Sequence, residues 1–523
     1  MKNKIYFLFT ILCILSFSAQ AQRFGDDILL HECGSEFRIE PKISVADNGW
    51  IYVLMNKHSE SSAETRIYRS IDGGATFEQI MYQDLPSGTT QGGRDFVVTG
   101  DNASNIKLWY VYADNNTATG VAHVYLKRMD ADGTNATIVH SYEFNNTVNH
   151  DVAISTNARS PKSSAWGPFV IGYAVSSNSN SSGYIDYSYS TDGGTTFTRK
   201  LMYSKIGSEF GSIDLSIGQA DENIYYPMAG IVFEMDRESE KNIGFIAAQA
   251  DGSNNTTALQ VNKLYSTVFE TKQPAIQWLC NNTLDEPFNF MIAYSSFYND
   301  YGEEDWDVLR VFPKPDYNLS AHTLSNLGWS FVAGFSFAHD ECADITYDKV
   351  NNNYLIVFSQ NSGTESKLDY RMVSYIDAVG DQEFPHIAFV STNSVGTYEY
   401  YSPVIDIDPT RTEVCFAHEL FGYNTTQLLF DSEWSPVEVE EIVATNENLN
   451  IFPNPATDKI TLRMREEGVY FVRMYNMFGA EVATFEYSGT AITYNVTNLP
   501  SGLYLVKLSS EKGKEFTAKF VVK

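Results

Sequence analysis

One pattern recurs along this chain. A short β-rich run is followed by a polar turn and then by a second apolar run. The first runs are Pro41–Val45, Phe96–Val98, Val152–Ile154, Ile213–Ile217, Pro274–Ile276, Ala343–Ile345 and Pro403–Ile407. Partner runs include Trp50–Leu54, Phe169–Tyr173, Tyr354–Phe358 and Val414–Ala417. Alternation with period two, bounded by polar turns, predicts strands with one buried face. The unit length matches a four-stranded sheet with generous loops, so seven units predict an all-β propeller of seven blades over residues 23–435. Six or eight blades stay open, because the first and last strands can share a blade.

Two turns repeat almost letter for letter. Ser70-Ile71-Asp72-Gly73-Gly74-Ala75-Thr76-Phe77 returns as Ser190-Thr191-Asp192-Gly193-Gly194-Thr195-Thr196-Phe197. Gly-Gly supplies positive φ, and the Ser and Asp side chains can hold a tight turn through nearby backbone N–H groups. Each octet follows an alternating run, Arg66–Arg69 or Tyr184–Tyr189. S-x-D-G-G-x-T-F resembles the Asp-box, or BNR repeat, of sialidases and related β-propellers. That resemblance implies a fold-stabilising role on the outer part of a blade for Ser70, Asp72, Gly73, Gly74, Phe77, Ser190, Asp192, Gly193, Gly194 and Phe197.

The two ends differ from this body. Residues 1–22 read as a secretory signal peptide: Lys2 and Lys4, an apolar Ile5–Phe17 too short to span a bilayer, and small residues around Ala21. No other stretch is long and apolar enough to cross a membrane. Residues 436–448 are acidic and polar and read as a linker. Residues 449–523 form a separate module of alternating runs, read as a small Ig-like β-sandwich of about seven strands. Its opening Asn450-Ile451-Phe452-Pro453-Asn454-Pro455-Ala456, its turns Tyr475-Asn476-Met477-Phe478-Gly479 and Leu499-Pro500-Ser501-Gly502-Leu503-Tyr504, and its end Lys519–Lys523 resemble the type A C-terminal sorting domain of the type IX secretion system of Bacteroidota. The resemblance implies export to the cell surface or medium, with the secretion machinery as partner of residues 449–523.

The net charge is −29, and the tail holds nine basic against seven acidic residues, so the acidity sits in the body. Such a surface repels nucleic acid and anionic membranes. No cofactor is expected; Ca²⁺ binding by the acidic body stays open as an alternative, without a D-x-D-x-D-G loop to support it. Cys33, Cys280, Cys342 and Cys415 remain after signal cleavage and read as disulfides or buried thiols.

Chemistry is harder to place. Aligning the seven units by their first strand puts Glu40, Asp95, Asp151, Ser212, Gln273, Cys342 and Ser402 around the mouth of a central channel. Arg94 and His150 stand beside two of these carboxylates. Facing carboxylates can act as acid and base if their pKa values are split; the competing expectation is that they cap strand ends and bond neighbouring blades. Phe37-Arg38-Ile39-Glu40-Pro41 resembles the segment that opens sialidase domains, where the Arg binds the substrate carboxylate, but Glu40 interrupts that pattern. Arg38, Glu40, Arg94, Asp95, His150 and Asp151 are therefore the catalytic candidates. Tyr298, Tyr301 and Trp306, on an acidic aromatic loop, are candidates for stacking on sugar rings. The expected function is a secreted or surface propeller that binds a glycan or protein ligand; the alternative is a sialidase-like glycosidase or a lyase working at the channel mouth.

Overall fold

The computed structural model describes residues 27–432 and 449–523, apart from internal stretches of which the longest are 159–168, 219–226, 280–288, 316–323 and 375–385. The stretches read from sequence as a signal peptide and a linker fall outside the described residues. The chain divides into two compact units, Met1–Ser435 and Pro436–Lys523.

Among the described residues, the first unit contains seven antiparallel four-stranded meanders. Their first strands are Arg38–Val45, Thr89–Thr99, Val148–Thr156, Ser208–Gly218, Val268–Leu279, His339–Asp348 and Tyr398–Asp408. Each first strand touches the first strand of the next meander, and Tyr398–Asp408 touches Arg38–Val45, so the seven close a ring. The third strand of the third meander is also joined to the first strand of the fourth by a single parallel bridge, Ser182↔Ser208. The seventh takes its outermost strand from the other end of the chain: Ile28–Gly34 pairs with Thr425–Ser432. Meanders packed around one channel are the architecture of a β-propeller. The apolar runs read from the sequence fall on the first and second strands or run directly into them, and the second strands are buried on both faces. Val53, Leu108, Val175, Val232, Ile292, Leu355 and Phe416, from the seven second strands, are all fully buried or nearly so.

The two octets form the turn between third and fourth strands of the first and third meanders. In each, the Asp side chain binds the turn from inside. Asp72 Oδ1 accepts the Ser70 hydroxyl at 2.7 Å and the Thr76 N–H at 3.0 Å; Asp192 Oδ1 accepts the same pair at 2.7 and 2.9 Å. The Gly-Gly pair is required twice over. Gly194 has φ +81°, and a Cβ there would lie 2.1 Å from Trp109 Cη2 in the preceding meander; at Gly74 (φ +95°) the obstacle is Phe430, 2.6 Å away. Phe77 closes the first turn against the same Phe430, ring centroids 4.8 Å apart. The octets thus tie a meander's rim to its neighbour.

In the second unit, the five described strands form one hydrogen-bonded sheet: Leu449–Phe452, Lys459–Asn476, Glu481–Asn495, Gly502–Ser510 and Glu515–Val522. The expected seven strands reduce to five because runs that look separate are continuous. Lys459–Leu462 and Val469–Tyr475 belong to one long strand whose register shifts between Arg463 and Gly468 instead of breaking at a turn. Its core includes Ile460, Leu462, Val472, Val506, Leu508 and Phe520.

Of the two readings of the cysteines the thiol holds: Cys342 and Cys415 are buried and Cys33 partly buried, none of the three in a disulfide, and Cys280 lies outside the described residues. The acidic aromatic loop is instead a hairpin: one strand runs to Asp300 and the next begins at Glu303. Residues 301–302, with Tyr301, and the Tyr298 side chain lie outside what is described.

Candidate functional site

The first strands enclose a cavity of about 1070 Å³ that runs along the ring axis, and all seven meanders contribute to its wall. Six of the seven first strands carry a register shift near their start, at Gln91/Arg94, Asn149/Asp151, Phe210/Ile213, Lys272/Ala275, Glu341/Asp344 and Tyr401/Val404. Gln273, Cys342 and Ser402 sit at these bulges with left-handed φ of 52°, 58° and 45°. The bulges change the ring drawn from sequence. Ser212, Gln273, Cys342 and Ser402 are bulge residues at the mouth. Asp95 and Asp151 lie past their bulges and point into the channel, so the two sets are not equivalent positions.

The Asp carboxylates inside the channel share one task. Asp95 Oδ1 accepts the Phe96 N–H and Oδ2 accepts the Ile154 N–H of the next meander, both at 2.8 Å. Asp151 does the same to Val152 (2.8 Å) and Ile213 (3.1 Å). Asp214, Asp344 and Asp406 repeat the pattern, reaching Ile276, Ile405 and Val45. The last of these bonds links the seventh meander back to the first. The contact between the first and second meanders uses a hydroxyl in that role, as Ser44 Oγ accepts the Val98 N–H at 3.2 Å, and Ser216 Oγ reinforces the Asp214 contact by accepting the Trp278 N–H at 2.7 Å. Burial pushes the Asp95 pKa up, that of Asp151 and Asp214 to about 7, and that of Asp344 to about 6. Lys42, on the first strand of the ring, faces this group. Burial alone lowers an ammonium pKa, but the fields of Asp95, Asp151, Asp214 and Asp344 outweigh it and keep Lys42 charged.

The mouth is built differently. Glu40 Oε1 lies 3.3 Å from His58 Nε2, and Glu40 Oε2 accepts from Asn56 at 3.1 Å. Asn56 in turn accepts from Gln91 at 2.6 Å. The hydrogen bond to Glu40 raises the His58 pKa more than its partial burial lowers it. Glu40 is 57% exposed and His58 34%, so this chain of polar groups faces the opening. Beside it, the Arg38 guanidinium packs 4.4 Å from the Tyr401 ring and 4.6 Å from the Phe421 ring, with Glu419 at 3.3 Å. Glu419 is buried, accepts the Ile39 N–H at 2.9 Å, and has a pKa pushed up to about 7 by that burial.

Of the sequence candidates, Glu40, Arg94, Asp95 and Asp151 line this cavity. Arg38 stands next to it. The His150 side chain is outside the described residues. Arg94 is pinned by Asp114 and by the carbonyls of Gly92, Gly93 and Ala113, which leaves its guanidinium 2% exposed. Trp306 is half-buried, with the Lys272 ammonium 3.8 Å from its ring centroid. Sequence reasoning passed over Lys42, His58, Asp214, Asp344 and Asp406. The last three carried a legible signal: each is a carboxylate inside an otherwise apolar first-strand run.

Comparison with known proteins adds three findings. Residues 450–523 match the secretion system C-terminal sorting domain family. The chain is therefore a type IX secretion cargo, exported to the cell surface or the medium. An endo-acting ulvan lyase of Formosa agariphila is 27% identical over 99 residues, 18% of this chain and 19% of that protein, so the match spans about a fifth of the relative's length. Among solved structures, a Penicillium chrysogenum α-L-arabinanase bound to arabinobiose aligns with TM-score 0.44 and 11% identity, covering 78% of this chain and 98% of that one. A PL25 ulvan lyase bound to a -[GlcA(1-4)Rha3S]- ligand aligns with TM-score 0.46 and 9% identity, covering 73% and 90%. At that level of superposition no site residue and no reaction carries over to this chain.

Proposed function

We propose that the protein is an exported seven-bladed β-propeller that binds a polar, hydroxyl-rich glycan at the mouth of its central channel. The tail serves as the Ig-like sorting module and the octets act as Asp-box rim turns. The observation that carries the reading is the mouth itself. A cavity of about 1070 Å³ opens beside the Gln91–Asn56–Glu40–His58 chain and the Arg38–Tyr401–Phe421 stack. Convergent donors and acceptors next to an aromatic face are what sugar recognition uses. The curated relative named as an endo-acting ulvan lyase supports a glycan-directed role. Glycan-array binding of the full-length chain tests it. Binding that drops at least tenfold in Arg38→Ala and Glu40→Gln, with unchanged melting temperature, supports the mouth as the site. Undiminished binding in both variants refutes it.

A second reading has one observation in its favour, the His58–Glu40 contact at the rim. A carboxylate-oriented imidazole of raised pKa can move a proton near neutral pH. The mouth would then cleave its glycan as a glycosidase or lyase. Sugar release that disappears in His58→Gln while binding persists supports this reading; binding without turnover of any glycan tested leaves the protein a binder.

A further inference from the structure

We propose that the channel mouth selects uncharged saccharides and rejects those bearing uronate or sulfate groups; the proposal rests on the mouth being the glycan site. The argument is electrostatic and comes from how the cations are spent. The cavity wall carries ten acidic side chains against Lys42, Arg94 and His58, and with Asp151 and Asp214 half-protonated near pH 7 the charge balance is still negative. Arg94 is sealed by Asp114 and three carbonyls. Lys42 stands in the field of four Asp carboxylates. His58 pairs with Glu40.

The rim repeats the pattern. Arg38 pairs with Glu419 and packs against the Tyr401 and Phe421 rings. Lys272 pairs with Glu341 at 2.9 Å and lies over Trp306. Each described cation at the mouth is thus already matched to a carboxylate. An incoming uronate or sulfate would have to break such a pair or sit in a net negative field. Neutral hydroxyls meet no such penalty. They can donate to Glu40, exchange hydrogen bonds with Gln91, and let a ring face pack on Tyr401 or Phe421. Selectivity here comes from a repulsive field as much as from attraction.

The test is calorimetric titration of the full-length chain with matched oligosaccharides at 50 and 300 mM NaCl. The panel is xylo- and arabino-oligosaccharides, a glucuronate-substituted xylo-oligosaccharide, and ulvan fragments carrying the uronate and the sulfate. Neutral members should bind at least tenfold more tightly than charged ones at low salt, and the gap should narrow at high salt as the field is screened. Glu341→Gln, which releases Lys272, should close part of the gap while changing neutral binding less than twofold. Tighter binding of the charged members, weakened by salt and lost in Arg38→Ala, overturns the selectivity and keeps the mouth as the site. Failure of every member to bind overturns both.

Discussion

Asp95 is the residue on which a catalytic and a structural account diverge most sharply. From sequence it is an acid/base candidate; in the structure both of its oxygens accept backbone N–H groups, one of them from the neighbouring meander. Asp95→Ala removes both acceptors from a side chain only 7% exposed. Hydrogen bonds to a charged acceptor contribute about 1.5–3 kcal/mol each, so the gross loss is about 3–6 kcal/mol. Removing a buried anion beside other anions returns part of that, leaving roughly 2–4 kcal/mol. Unfolding entropy of about 2.1 cal/mol/K per residue over roughly 400 residues gives about 0.85 kcal/mol/K. The melting temperature should therefore fall by roughly 2–5 °C in a calorimetric scan, while glycan affinity, measured well below the transition, changes less than about twofold. An unshifted melting temperature with abolished binding or turnover refutes the reasoning and returns Asp95 to the site.

Three other outcomes follow from the same structure. Gly194→Ala forces a Cβ against Trp109 at a left-handed φ, so urea unfolding should show a loss of at least about 1–3 kcal/mol; a neutral result would show that the octet does not hold the rim. Asp151 and Asp214 titrate near pH 7 when folded against an ordinary 3.8. The folded state therefore takes up protons first: the stability they contribute is fully present below 3.8 and is lost as pH rises through 7. The denaturation midpoint should fall between pH 5 and pH 8, and a rise over that window would contradict the burial argument. Deleting residues 449–523 should leave the chain in the periplasm, as read by fractionation; surface export of the truncated protein would remove the sorting role from the tail.

The strand pattern was open to reading because propeller strands are short, apolar and evenly spaced, and because Gly-Gly turns leave a composition that survives in single sequence. The tail was legible for a different reason, a set of fixed letters at its turns. Pairing of the chain ends was open only as a possibility: nothing in Ile28–Gly34 names Thr425–Ser432 as its partner. The channel was read less well. Bulges shift register by a residue or two without any marker in composition, so Asp95 and Asp151 looked equivalent to Ser212 and Gln273. The staples were visible in part, since Asp214 and Asp406 interrupt apolar runs that lack any other charge. His58 was invisible, because its role depends on Glu40 across a strand pair rather than on neighbours in the chain. The second, sixth and seventh meanders show most plainly that an acidic residue in a channel wall can be there to hold the ring closed.

The most direct test of the central claim is a diffraction structure of the protein with a bound neutral oligosaccharide, phased independently of the sugar. Ordered density should lie at the channel mouth, with a ring against Tyr401 or Phe421 and hydroxyls within hydrogen-bond distance of Glu40 and Gln91. Sugar density confined to the outer blade surface or to residues 449–523, with the mouth holding only water, would contradict it.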